Sequence, residues 1–427
     1  MRRGFAGKLL LLIAVIIAVI VVIPFVPLTP LKRPVEQKLA ATLGRKVSIA
    51  SARISLVPKP HLIISGLTVE EDPEFGGEVF LKAERVQTGL DVIQYVSHRR
   101  IAIDSIALQA PEIHLVKNSR GAWNWTTLGK QNSQQSASLT LASEEISYGA
   151  ALWIPPGSQI QESMIREIKV MDASVRVKDY TEEGTPEAVY KNVALEAWLT
   201  PQSSADSKVN TQAKGTITFN SQENGQGDRL VARLPFDLKI DASGSVPLAV
   251  SGSVGPGPIE TQNITIGALA IEGEILSSTN APITGKGRMS IDDLDIRTIN
   301  LSERVARALK VDQIGDMSPG TALASLETNF QISQGTVHTT GLKIQQLDGL
   351  GDASAQEGSF KVDSSLIVHY PATVVLSPEA TSRVKSLNSA LGLVVTILET
   401  NNRVSVPIDI SGDVRNPVVQ VDVSRIF

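Results

Sequence analysis

The five histidines are the chain's most versatile acid–base groups, and none has a partner at catalytic spacing. His61, His98, His114, His338 and His369 are scattered over 427 residues, without the HExxH arrangement that sets two imidazoles on one helical face for zinc. Each reads as a solvent-facing strand or loop residue. There is no cysteine, which removes thiol nucleophiles, thiolate metal sites and disulfides together. Gly285-Lys286 lacks the preceding glycine of a phosphate-cradling loop, and GSVG at Gly252 to Gly255 is not a nucleophile elbow. Asp292, Asp293 and Asp295 offer the oxygen ligands that suit calcium. They also take the polar positions of a strand carrying Met289, Ile291, Leu294 and Ile296, where alternation alone turns charge outward. The second reading is the simpler one. The expectation is a protein that is not an enzyme and has no metal or cofactor.

What the spacing does support is an apolar surface. In IAIDSIAL, Ile101 and Ile103 are followed by one extra residue before Ile106 and Leu108 resume the alternation, with a return segment at Pro111 to Val116. Period two marks a strand with one apolar face, and the extra residue reverses that face unless a bulge or tight turn absorbs it. The same step recurs at Leu62, Ile64, Leu67, Val69, at Ile264, Ile266, Leu269, Ile271 and at Met289, Ile291, Leu294, Ile296. Weaker copies stand at Ile165, Ile168 and Val170 and at Val337, Leu342 and Ile344. One offset of 62 residues relates Ile106 to Ile168 (168 − 106) and Ile113 to Val175 (175 − 113). A repeated unit that cannot bury its own apolar face predicts an elongated stack of strands.

These residues need elements to hold them. Leu9 to Leu31 is free of charge, long enough for a membrane-spanning helix and bounded by Pro24, Pro27 and Pro30. It predicts an uncleaved anchor over 9–28 after a short cytoplasmic tail, 1–8, with the bulk of the chain exported. A short helix is expected from Pro34 to Leu43, stopped by Gly44. Its basic neighbours, Arg45 and Lys46 among them, are placed either against anionic headgroups or in solvent. Strands follow in a β region over 29–130. QNSQQSAS at Gln131 to Ser138 opens a polar linker over 131–160. A central β region over 161–260 contains a polar break at Pro201 to Ser207 and a Gly/Ser/Pro-rich stretch, Ser243 to Pro258, that is poor for any regular element. A C-terminal β region, 261–427, carries helices near 301–310, capped by Asn300, and near 378–391, capped by Ser377. Trp123 and Trp125 in GAWNW fall on one face of a short strand if alternation holds. Indoles there suit the rim of an apolar groove, or else an edge of the core.

LGRKVSI (Leu43 to Ile49), SLVPKPHLIISGLTVEE (Ser55 to Glu71), FLKAERVQTGLDV (Phe80 to Val92), IAIDSIALQAPEIHLVKNSRGAWNW (Ile101 to Trp125) and VPIDISGDVRNPVVQVDV (Val406 to Val423) follow an N-terminal anchor in this order. In this the chain resembles the AsmA family of envelope proteins. Its long relatives of the TamB type build a curled sheet with an apolar inner face and are implicated in moving phospholipid between the two membranes of Gram-negative cells. The resemblance implies a single-pass inner-membrane protein, its bulk in the periplasm, acting in outer-membrane biogenesis.

The fold expected is mainly β with a few helices: an N-terminal transmembrane helix, then an elongated, curled, repeat-built antiparallel sheet with an apolar inner face. The function expected is to hold or transfer phospholipid acyl chains in a β groove. That groove is lined by Leu62, Ile64, Leu67, Val69, Ile101, Ile103, Ile106, Leu108, Ile264, Ile266, Leu269, Ile271, Met289, Ile291, Leu294, Ile296, Leu342 and Ile344, with Trp123 and Trp125 at its rim. Aromatics are only 4% of the chain, so aliphatic side chains must line it. The competing expectation is a periplasmic scaffold that modulates outer-membrane protein assembly without carrying lipid. The partners implied are the inner membrane, phospholipid and other envelope proteins. A net charge of −4 without a basic stripe excludes a nucleic-acid footprint.

Overall fold

Val, Ile and Thr alternating with polar residues give strands over most of the described residues. The computed structural model describes residues 29–55, 59–77, 79–90, 103–128, 165–181, 187–203, 209–221, 229–241, 248–278, 281–308, 320–334, 336–361, 367–387, 399–413 and 416–425. The predicted anchor, Ile101 and the 131–160 linker lie outside these residues. Two compact units divide the chain, 1–199 and 200–427.

Unit 1 begins with helix α1 (Thr29–Leu43). It starts ahead of the expected Pro34, because Pro30 just inside the start sits where no amide is needed. It stops at Gly44, whose left-handed φ of 67° lets its N–H donate to Ala40 O at 2.9 Å. Strands β1 (Val47–Ser48) and β2 (Ser51–Ser55) both pair with β3 (His61–Glu70), which continues antiparallel through β4 (Val79–Leu90) to β5 (Ile103–Lys117). Then the direction breaks. Strand β6 (Glu167–Asp179) lies parallel to β5, with Ile106 beside Ile168 and Ile113 beside Val175, and pairs antiparallel with β7 (Ala188–Ser203). The expectation of a wholly antiparallel sheet is corrected here: the long connection from 118 to 166 is what a parallel neighbour requires. The offset of 62 residues is thus the register of a parallel pair.

The extra residues are absorbed as the alternation demands. Between β4 and β5 the register shifts so that Asp104 is surplus, which leaves Ile103, opposite Leu90, on the same face as Ile106, opposite Thr88. A second odd step is taken in left-handed conformation at Gly66 (φ 63°), Ala110 (φ 45°), Asp172 (φ 55°) and Asn192 (φ 54°) in β3, β5, β6 and β7. Pro111 to Val116 therefore does not return. Ala110 swivels the chain and β5 runs on through Pro111, so the reading of a return segment is corrected.

In unit 2, β8 (Val209–Ser221), β9 (Leu230–Asp241), β10 (Leu248–Thr261), β11 (Ile264–Ser278), β12 (Ala281–Ile296), β13 (Thr321–Ser333), β14 (Thr336–Leu347), β15 (Gly351–Lys361) and β16 (Ile367–Leu376) pair antiparallel in sequence order. Strand β16 then pairs with β18 (Arg403–Asp413), which carries β19 (Val418–Val421) on one side and the short β17 (Glu399–Thr400) at its start. From Leu248 on, the Gly/Ser/Pro-rich stretch expected to be irregular is strand β10, and its first residues, 243–247, lie outside the described residues. Its glycines are needed because a Cβ on Gly252 would stand 2.0 Å from Asp237 O and one on Gly255 2.0 Å from Leu269 O, so neighbouring backbones lie where side chains would be. Strand β7 runs on to Ser203, into the break expected at Pro201 to Ser207, whose remaining residues lie outside the described ones. Helix α2 (Leu301–Ala308) is capped by Asn300, whose Oδ1 accepts from Glu303 N–H at 2.7 Å. Helix α3 (Pro378–Leu387) is capped by Ser377, whose Oγ accepts from Ala380 N–H at 3.1 Å.

Candidate functional site

Residues directly opposite one another in paired strands share a face of the sheet, so the registers show whether the skipped-residue strands form a common surface. In unit 1 they do: Ala52, Ile64, Val86, Leu108, Val170 and Leu195 pair in succession from β2 to β7. Val47, Val69, Leu81, Ile113, Val175 and Tyr190 make a second such rung. In unit 2 the two strongest sequence copies pair residue for residue, Ile264 with Ile296, Ile266 with Leu294, Leu269 with Ile291 and Ile271 with Met289. Asp293, left-handed at φ 52°, takes up the odd step opposite Gly267, where a Cβ would come within 2.9 Å of the Asp293 Cβ. From there one rung runs Leu269, Ile291, Leu326, Ile344, Ala353, Val374, Val406 across seven strands without a polar side chain.

The opposite face is polar. Ser251, Glu274, Lys286, Gln331, His338, Ser359 and His369 pair in a rung of their own. Lys286 meets Glu274 at 3.0 Å, and Arg288 meets Glu327 at 2.8 Å. A hollow of about 620 Å³ opens on this side over Gly252, Gly273 and Gly287, walled by Glu272, Glu274, Lys286, Gln331 and His338. Its charged walls disqualify it as a seat for hydrocarbon.

Coverage of the apolar face varies within each unit. Ile64, Leu67 and Val69 are buried in a core with Ala83 and Val86, against which Val35, Leu39, Ala40 and Leu43 of α1 pack, and Leu62, Ile106 and Leu108 flank it. Leu342 and Ile344 flank a second core, in which Val305 and Ala306 of α2 and Ala380 and Val384 of α3 cover Leu347, Ala353, Val374 and Val406. Arg304 ties α2 to the sheet end, donating to Pro417 O at 2.7 Å and Asn416 Oδ1 at 2.8 Å. In unit 2, Ile264, Ile266, Leu269, Ile271, Met289, Ile291 and Ile296 are half-buried and belong to neither core, and Leu294 is buried; in unit 1, Ile103 is half-buried.

The tryptophan pair is corrected. GAWNW is not a strand: Asn124–Thr127 is a turn of 3-10 helix preceded by Trp123, so the two rings do not share a strand face, and Trp125 is 41% exposed. The residue held in place is Asn124, fully buried, whose Nδ2 donates to Glu71 Oε2 at 2.5 Å and His114 O at 2.8 Å. Arg45 completes the cluster. Its Nη2 donates to Asn124 O at 2.6 Å and Thr127 Oγ1 at 2.9 Å, its Nη1 lies 2.7 Å from Glu71 Oε1, and its guanidinium sits 4.4 Å from the centroid of the Phe80 ring. Both charged side chains are nearly inaccessible, 3% and 2% exposed. Placement of Arg45 against headgroups is thereby excluded. A lone Arg after a helix-stopping glycine gave no sign of this, because its partners lie 26 and 79 positions along the chain.

Among the described residues no three His, Asp or Glu side chains group to hold a metal ion, and no helix is long and apolar enough to cross a membrane. No curated protein matches the chain, and no solved structure does. The family model described as the AsmA family matches residues 1–315, and the chain belongs to that family.

Proposed function

We propose that this is an inner-membrane-anchored periplasmic protein of outer-membrane biogenesis that holds or transfers phospholipid acyl chains on the apolar face of its sheet. The observation that carries the reading is the unbroken rung from Leu269 to Val406, backed by a polar face and left half-buried over β11 and β12. Where such a face is left uncovered, as over β11 and β12, it marks an interaction site. Branched aliphatics without fixed polar anchors attract hydrocarbon by area, about 0.8 kcal/mol per fully buried methylene, and discriminate poorly between chains. That suits a carrier. The closed cores under α1 and under α2 and α3 favour the second reading, a scaffold acting through protein contacts. Mass spectrometry of the purified chain separates the two. A carrier brings phospholipid with it and loses most of it on Ile106→Asp or Ile266→Asp, whereas a scaffold carries none, or keeps the same amount after substitution.

A further inference from the structure

Helix α1 lies on the rungs of unit 1 that an acyl chain would otherwise reach. Its Val35, Leu39, Ala40 and Leu43 seal Val69 and Val86, which are 0% and 6% exposed, yet all four remain half-buried themselves. They form a stripe resting on the face rather than a core element enclosed from both sides. The helix body is tied to the sheet through Glu36, whose Oε1 accepts from Ile49 N–H at 2.8 Å. Immediately after the helix comes Gly44 in left-handed conformation, and immediately after that Arg45, locked in the buried cluster with Glu71 and Asn124. A soft joint thus stands between a lightly seated helix and a fixed base.

We propose that α1 is a hinged cover, pivoting at Gly44 on the Arg45 base, whose apolar stripe is displaced by the acyl chain of a phospholipid moving along the rungs through Ile106 and Leu108. The acyl chain takes the stripe's place against the rungs, so the sheet face stays withdrawn from water throughout, and the cost of opening is confined to the stripe itself and the Glu36 hydrogen bond. This rests on the acyl-chain reading of the same face.

Because the chain has no native cysteine, the helix is tethered cleanly. Gln37→Cys and Ala50→Cys, exposed positions on the helix and on the connection between β1 and β2, leave the Glu36 bond in place and are joined by a reducible bismaleimide in the full-length protein. A photoreactive residue replacing Leu108 reports lipid from phosphatidylethanolamine-containing vesicles at the covered end, and one replacing Ile271 reports it on unit 2. The expected result is a fall of at least five-fold in lipid adducts at Leu108 when the tether is closed, recovery on reduction, and no change at Ile271. Equal adduct formation at Leu108 with the tether closed and open overturns the cover while leaving the acyl-chain reading intact. Absence of lipid adducts at both positions in the untethered protein removes that reading and the cover with it.

Discussion

Replacing Arg45 by Met tests the buried base of unit 1. The substitution keeps the aliphatic stem against Phe80 but leaves the Glu71 carboxylate, 2% exposed, without its counter-charge at 2.7 Å. It also removes the guanidinium donor from Thr127 Oγ1 and from Asn124 O, which keeps only the Thr127 hydroxyl at 3.0 Å. Removing one partner of a buried ion pair costs about 3–5 kcal/mol because the other charge stays desolvated. Hydrogen exchange of the β3 and β4 amides reads this locally, and at 1.4 kcal/mol per factor of ten the protection there falls by about two to three and a half orders of magnitude. The reasoning makes a sharper demand on the double variant Arg45→Met/Glu71→Met. With neither charge buried, most of the loss is recovered, since an apolar pair in place of a buried ion pair is often neutral or better. A single variant within about 1 kcal/mol of the parent, or a double variant as damaged as the sum of the two singles, refutes the view that the cluster is an obligatory buried pair.

Two further outcomes follow from particular contacts. Gly252→Ala forces a Cβ against Asp237 O at a backbone φ of 142° and lowers the melting temperature by several degrees, while Gly77→Ala, with nothing within 4 Å of its Cβ, leaves it nearly unchanged. At Asp352, burial pushes the carboxyl up, but the Arg403 hydrogen bond at 2.7 Å, the Gln346 amide and the Arg403 charge outweigh it and hold it below its ordinary 3.8. A depressed folded pKa gives stability that is complete above about pH 4 and is lost as pH falls through the folded value. Asp352→Asn therefore flattens the acid limb of a pH–stability curve below pH 4, by a modest amount because the group is partly exposed, and an unchanged acid limb would show that the pair is fully screened.

What the sequence disclosed and what it hid have one physical origin. The odd step in each aliphatic run was visible because side-chain periodicity is local, and Ile264 to Ile271 and Met289 to Ile296 could be recognised as equivalent strands before either was seen to pair with the other. Strand direction is not local. The same offset that marks Ile106 and Ile168 as copies is compatible with antiparallel repeats, and only the connection from 118 to 166 turns it into a parallel register. Gly252 and Gly255 read as loop glycines because their reason, a neighbouring backbone at 2.0 Å from the Cβ position, belongs to a different strand. Alternation also misplaced Trp123 and Trp125, since Asn124 between them is drawn inward by Glu71 and His114 O, contacts made across 53 and 10 residues. Which aliphatics stay uncovered was likewise hidden: Ile64 and Ile266 have equivalent places in their runs, and only the packing of α1 makes one of them core.

The face itself is tested most directly by photoreactive substitutions walked along β11 in living cells, at Leu269, Ala270, Ile271 and Glu272 in turn, with lipid adducts read by mass spectrometry. Residues opposite Ile291 and Met289 point to the apolar side and those opposite Ser290 and Arg288 to the polar side, so adducts at 269 and 271 and none at 270 and 272 are predicted. Adducts of equal yield at all four positions, or at none, contradict an acyl-chain surface built from these rungs.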